Sequence, residues 1–238
     1  MIRATIVTIF LALYTLVLGL PLILCSFLTG SVDLLYRVSL AAVLFIMRAV
    51  GVRVRVEGLE NIPPAVCLFV ANHSSNADPP AVVGAIPRRI SILAKDSLFR
   101  IPFVSWAFRL ARFVPVNRTN REAAVASVDR ATEYLEQGVS FLVYPEGTRS
   151  ADGRLLPFKK GSFVMAIKAG VPVVPISVVG AHHILRKNEF AIHPGEILVK
   201  FSPAIDASAY KLAQRDALAA HVHAAVAAGL PPDQQPKA

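Results

Sequence analysis

At 238 residues the chain is long enough for one to two domains at the usual ~150 residues each, so it can bury a sizeable core. Apolar residues make up 54% and charged residues only 17%, against ~25% in ordinary soluble domains, which excludes a disordered chain. The 25 Lys and Arg outweigh the 16 Asp and Glu by +9, pointing to a lipid surface or an anionic ligand, and two cysteines set in apolar runs support neither a disulfide framework nor a cysteine-held metal.

Residues 4–32 carry no charge and are mostly Leu, Ile, Val, Phe and Ala. A helix needs roughly 20 such residues to cross the hydrocarbon layer, and the apolar core of a cleaved signal peptide is roughly 7–15, so the run reads as a membrane helix. Pro21 predicts a kink or a break, which leaves open a hairpin that enters one leaflet and returns. A second apolar helix is expected over 34–50, in or near the interface. Arg53 and Arg55 follow it, and basic residues on this side place the rest of the chain in the cytoplasm. The expected organisation is membrane-anchoring helices over 1–50, a second domain over 51–229 and a flexible tail over 230–238.

From residue 52 short β-rich runs alternate with helical ones. Strands are expected at 52–56, 65–70, 90–93, 113–116, 140–144, 173–179 and 197–201, and helices at 78–85, 104–111, 121–137, 162–169 and 207–228. Such alternation predicts an α/β fold, a mixed and largely parallel sheet covered by helices.

Dinucleotide-binding glycines, a P-loop, a nucleophile elbow, the HExxH zinc pattern and paired CxxC are absent, which lowers the weight of nucleotide, serine-hydrolase and zinc chemistry. His221 and His223, two apart on a helix, and the adjacent His182 and His183 read as surface residues rather than metal ligands. No metal or cofactor is expected.

Two loops carry chemistry. The strand at 65–70 runs into Asn72-His73, with Asp78 five residues on and two prolines behind it. A loop of small polar residues can bring the Asp78 carboxylate onto one ring nitrogen of His73, leaving the other to take a proton. Asp78 also suits a helix N-cap, and one carboxylate oxygen could cap while the other accepts from the imidazole. The strand at 140–144 ends at Pro145, and Glu146-Gly147-Thr148-Arg149 follow. Gly147 lets backbone amides approach a ligand, and the Arg149 fork matches two phosphate oxygens. Glu146 would repel an anion, so it is expected to hold the loop by accepting hydrogen bonds or pairing with an arginine.

Between these loops, residues 88–121 hold eight basic residues, one acid (Asp96) and the rings of Phe99, Phe103, Trp106, Phe108 and Phe113. That mixture suits a lipid headgroup layer or single-stranded nucleic acid, and the apolar segment decides for lipid. Arg118 and Lys95, each closing an expected strand, are further phosphate candidates.

Asn72-His73 with Asp78, then Val114-Pro115-Val116-Asn117-Arg118, then Tyr144 to Ser150, then Val171-Pro172-Val173-Val174-Pro175-Ile176 resemble the four ordered blocks of the glycerolipid acyltransferases, above all the 1-acylglycerol-3-phosphate acyltransferases. The resemblance covers roughly residues 52–201. It implies His73 and Asp78 as catalytic residues and Arg118, Glu146, Gly147, Thr148 and Arg149 as binding the acceptor's phosphate, with Lys95-Asp96 similar to a further basic segment. It associates the fourth block with the acyl donor or with packing. Tyr144 stands where many members have Phe, and Arg112 where many have Gly, which bears on the acceptor pocket.

The implied partners are a lysophospholipid acceptor, an acyl thioester of coenzyme A or acyl carrier protein, and membrane lipids, without nucleic acid. Other acceptors such as a lyso-ornithine lipid would use the same blocks. A non-catalytic membrane-surface protein is the alternative from another class.

Overall fold

A computed structural model describes residues 2–117 and 120–237: a helical hairpin, then a seven-stranded sheet between two layers of helices. Helix α1 (Ile2–Tyr14), a π-helical turn (Thr15–Gly19) and α2 (Leu20–Thr29) make one continuous apolar run. The break predicted at Pro21 takes the form of that π turn. Proline lacks the N–H for the ladder and its ring crowds the carbonyl four residues back, so the hydrogen bonding shifts by one residue. The chain reverses at Gly30, whose φ is +68°, and α3 (Asp33–Ala49) returns alongside. Tyr14 Oη meets Ser39 Oγ at 2.7 Å across the hairpin, and Arg3 Nε donates to Val50 O at 3.1 Å.

The 28-residue run Ile2–Thr29 reaches a mean hydropathy of 2.5 over its most apolar 18 residues, and is long and apolar enough to cross a membrane. One face exposes Ile9, Leu13, Leu16 and Phe27. The opposite face lies on the protein: Val7 and Phe10 pack on the core, and Ile23 clusters with Val32 and Leu35, with Leu22 and Leu110 packed against them. The run is thus held along the protein near both of its ends.

Strands β1 (Val52–Glu57), β2 (Leu68–Ala71), β3 (Ser91–Lys95), β4 (Val114–Val116), β5 (Phe141–Val143), β6 (Val173–Val179) and β7 (Gly195–Phe201) lie in the order β1-β7-β6-β2-β5-β3-β4. Every neighbouring pair is parallel except β6 and β7. This is the mixed, largely parallel sheet that the alternation predicted. β2 starts later than expected because the carbonyls of Pro63, Pro64 and Ala65 accept from the Arg88 guanidinium and Cys67 N donates to Ser140 Oγ, which removes them from any ladder.

Because successive strand residues face opposite sides, Phe69 and Ala71 enter one core and Leu68 and Val70 the other. The first core is closed by α3 and α4 (Asp78–Ala85), which cross so closely that a Cβ on Gly84 would lie 2.7 Å from Leu44 Cδ2. The second is closed by α6 (Arg121–Glu136), α7 (Gly161–Ala169) and α9 (Arg215–Ala228), with Leu135, Phe163 and Leu218 fully enclosed. Helices α5 (Val104–Leu110) and α8 (Ala181–Ile184) are short connectors.

Two expectations need correction. The helix expected at 207–228 is confined to α9: Asp206 Oδ1 accepts from Ser208 N at 2.9 Å to start a separate 3-10 turn, and Gln214 Oε1 accepts from Lys211 N at 2.9 Å to start another. The tail expected to be flexible folds back instead. Leu230 and Gln234 are buried, Gln235 Nε2 donates to Ala227 O and Leu230 O, and Lys237 pairs with Asp152 at 3.0 Å.

Candidate active site

β2, β3, β4, β5 and β6 run parallel, so their carboxyl ends share one edge of the sheet, where ligands gather in open α/β folds. Both loops singled out in the sequence leave from that edge.

Asn72 extends β2 by side chain rather than backbone. Its Nδ2 donates to Val178 O at 2.9 Å and its Oδ1 accepts from Val178 N at 2.7 Å, which completes the pairing with β6 and fixes where His73 begins. His73 Nδ1 lies 2.8 Å from Asp78 Oδ2, and its side chain is only 11% exposed. Among the described residues Nε2 has no hydrogen-bond partner. Since an ionised carboxylate only accepts, Nδ1 carries the proton and Nε2 the lone pair. The ring stacks on Tyr144 at a centroid distance of 4.3 Å, and burial drives the Tyr144 hydroxyl well above its ordinary range.

Asp78 does not act as the N-cap that the sequence suggested. It is the first residue of α4, Ala77 occupies the cap, and the two oxygens do not divide the work. Oδ2 accepts from Ser74 N at 2.7 Å and Ser75 N at 2.8 Å as well as from the imidazole, because the short loop folds all three donors onto one side of the carboxylate. The carboxylate is fully buried, and Oδ1 has no partner among the described residues.

Glu146 joins the two loops. Its Oε1 accepts from His73 N at 2.6 Å and its Oε2 from Leu156 N at 3.3 Å, while His73 O accepts from Ser150 N at 2.7 Å. The hydrogen-bonding role expected for it is therefore directed at the backbone of the histidine itself. Burial pushes the Glu146 carboxyl up to about 8, against the two amide bonds that lower it and with a smaller push from Asp78. Between the ordinary 4.5 and about 8 the folded protein holds a proton that the unfolded chain has released, so rising pH through this window removes stability. At ~1.4 kcal/mol per unit the full window is worth on the order of 4–5 kcal/mol. The thermal midpoint of the wild type should fall between about pH 6 and pH 9 relative to that of Glu146→Gln; parallel pH curves for the two proteins would contradict this.

Gly147 sits at φ +71° with Lys159 laid over it, close enough that a Cβ would lie 2.8 Å from Lys159 Nζ. Thr148 is exposed and Arg149 half-buried, and among the described residues the Arg149 guanidinium has no hydrogen bond or ion pair. Lys95 ends β3 on the same edge, exposed and with its ammonium likewise unengaged among the described residues. Arg118 lies outside the described residues. Arg112, which stands where related blocks have glycine, adopts the left-handed φ of +59° that glycine favours, and its side chain turns onto α6, 5.4 Å from the Tyr134 ring and bonded to Gln137 Oε1 at 3.2 Å.

Beside the start of α4, a cavity of about 260 Å³ is lined by Leu35, Leu40, Pro79, Pro80, Ile92 and Phe108, and is almost entirely apolar. It begins one residue past Asp78 and lies against α3.

Sequence reasoning missed three contributors: the bridging role of Asn72, and Lys159 and Lys187 in the cationic surround. Lys159 belongs to a basic pair just ahead of α7, and Lys187 follows the carboxyl end of β6. Position after a parallel strand was the available signal for Lys187.

The acyltransferase family model matches residues 53–179. A 1-acyl-sn-glycerol-3-phosphate acyltransferase of Limnanthes douglasii is 32% identical over 187 residues, 78% of this chain and 66% of that protein. One from Pseudomonas aeruginosa is 32% identical over 158 residues, 66% of this chain and 61% of that protein. The chain thus spans less than two thirds of the length of these curated relatives. The crystal structure of the 1-acyl-sn-glycerophosphate acyltransferase PlsC from Thermotoga maritima matches with a TM-score of 0.75 and 32% identity, over 96% of this chain and 95% of that one.

Proposed function

The chain belongs to the acyltransferase family, and from that premise we propose that it transfers an acyl group from a thioester to the free hydroxyl of 1-acylglycerol-3-phosphate, forming phosphatidic acid. The observation that carries this reading is the buried His73–Asp78 pair, with Nε2 left open, bonded through Glu146 to the loop that presents Arg149.

His73 Nε2 takes the proton of the acceptor hydroxyl as that oxygen attacks the thioester carbonyl. The C–O bond forms, the C–S bond breaks, and the proton passes on to the departing thiolate. Asp78 holds the tautomer and offsets the charge of the imidazolium. The acceptor supplies the nucleophile, so no acyl-enzyme is required. General-base help is worth ~10²–10⁴ in rate, and holding both reactants in place adds several kcal/mol. Arg149, with Arg118 and Lys95, binds the phosphate, and the apolar cavity beside Pro79 and Pro80 takes an acyl chain. The donor is a thioester of coenzyme A or acyl carrier protein.

The run Ile2–Thr29 seats the enzyme in one leaflet, with the catalytic domain in the cytoplasm. Attachment to the protein near both ends, through Arg3 and through Ile23, favours this over a span, which would carry one end away. A purified sample given one labelled acyl thioester and a panel of lysolipids should convert lysophosphatidate to phosphatidic acid. Preference for a lyso-ornithine lipid, or no transfer to any acceptor, would overturn the assignment. Arg149→Ala should raise the KM for lysophosphatidate about 10- to 100-fold, as expected for losing a charge-assisted bond worth ~1.5–3 kcal/mol, and change kcat much less.

A further inference from the structure

The segment that leaves β6 touches both loops of the site, yet it lies beyond residue 179, where the match to the family model ends. Ser75 Oγ, in the His73 loop, donates to Leu185 O at 2.8 Å. Two residues on, Lys187 Nζ donates to Arg149 O at 2.8 Å and lies 3.4 Å from Thr148 Oγ1. The segment is itself anchored, since Ala181 and Ile184 of α8 are buried in the first core.

Lys187 is half-buried, and among the described residues no carboxylate pairs with it or with Arg149. The bond from Lys187 runs to the Arg149 backbone carbonyl, so the ammonium stands beside the same loop that carries the Arg149 guanidinium, and two cations at one loop with no carboxylate between them draw an anion. An ammonium has three N–H groups, and at most two of these are engaged.

We propose that Lys187 is an acceptor-binding residue. It pins the Arg149 backbone with one N–H and contributes its charge to the acceptor's phosphate monoester beside the Arg149 fork. This rests on the acceptor reading above. It makes the turn after β6 a third wall of the phosphate site, and it explains why that turn bonds to both catalytic loops.

The test compares wild type, Lys187→Met and Lys187→Arg in two measurements. In steady-state assays Lys187→Met should raise the KM for lysophosphatidate about tenfold or more, leaving kcat and the KM for the acyl thioester within about threefold, and Lys187→Arg should recover most of the loss. In calorimetric titration with glycerol 3-phosphate, Lys187→Met should bind more weakly by a similar factor. An unchanged KM and an unchanged glycerol 3-phosphate affinity would overturn the proposal, as would equal losses in kcat and in the KM for both substrates. Should the wild type prove unable to acylate lysophosphatidate, the acceptor reading fails, and the titration alone decides Lys187: weaker binding by Lys187→Met upholds it, while equal binding or none refutes it.

Discussion

Replacing His73 with alanine should lower kcat by about 10²–10⁴-fold, the range that a positioned general base supplies, while vesicle binding stays at the wild-type level. The vesicle result follows because the ring lies on the sheet edge, whereas the exposed apolar face belongs to the Ile2–Thr29 run. Asp78→Asn separates two roles of the carboxylate. All three of its hydrogen bonds converge on Oδ2, so an amide oxygen at that position can keep the loop and the imidazole tautomer. The negative charge is lost, and an NH2 group takes the buried, unpartnered place of Oδ1, a modest cost to stability. The asparagine variant should therefore fold, keep a thermal midpoint within a few degrees of wild type, and still lose roughly 10²-fold or more in kcat. An active alanine variant, or an asparagine variant with wild-type turnover, would end the general-base mechanism.

Glu146→Ala should lower both stability and turnover. It orphans the N–H groups of His73 and Leu156, each costing about 1–3 kcal/mol when buried without a partner. Relief of the carboxyl's own burial, the cause of its upward shift to about 8, offsets part of that. The net expectation is a loss of about 2 kcal/mol, which in a chain of this size lowers the thermal midpoint by roughly 4–8 °C. The catalytic effect has the same origin. With Oε1 gone, the His73 backbone keeps its bond from Ser150 N to the second loop but loses the one to Glu146, and kcat should fall about 10- to 100-fold. Glu146→Gln, whose single carbonyl can satisfy one of the two donors, should lie between. Scanning calorimetry and initial rates at about pH 7 check both effects, and an alanine variant unchanged in either measure would remove the bridging role.

Much of the site was legible because its determinants are local. Four residues separate His73 from Asp78, and a loop of small, mostly polar side chains closes over that distance. The cap role suggested for Asp78 failed because three donors inside the loop outnumber what the first turn of α4 offers one carboxylate. The long C-terminal helix was overdrawn for a related reason. Alanine-rich periodicity runs through 207–228, but the side chains of Asp206 and Gln214 offer the backbone acceptors that favour separate turns. At Pro21 the missing N–H marked the break, which the structure resolves as a π turn within a continuous run.

By itself the sequence determined an apolar N-terminal run long enough to cross a membrane, an alternation of strand and helix that requires a largely parallel sheet, and a histidine with a carboxylate within reach of its ring. Each depends on spacing within a few residues or on periodicity along one element. Only the tertiary structure decided that Glu146 holds the backbone of His73, that Asn72 completes the pairing with Val178, and that Lys187 reaches Arg149. These contacts join residues 38 to 106 positions apart. They exist because parallel strands bring their carboxyl ends to one edge, a proximity created by the order of strands in the sheet and not by any pattern along the chain.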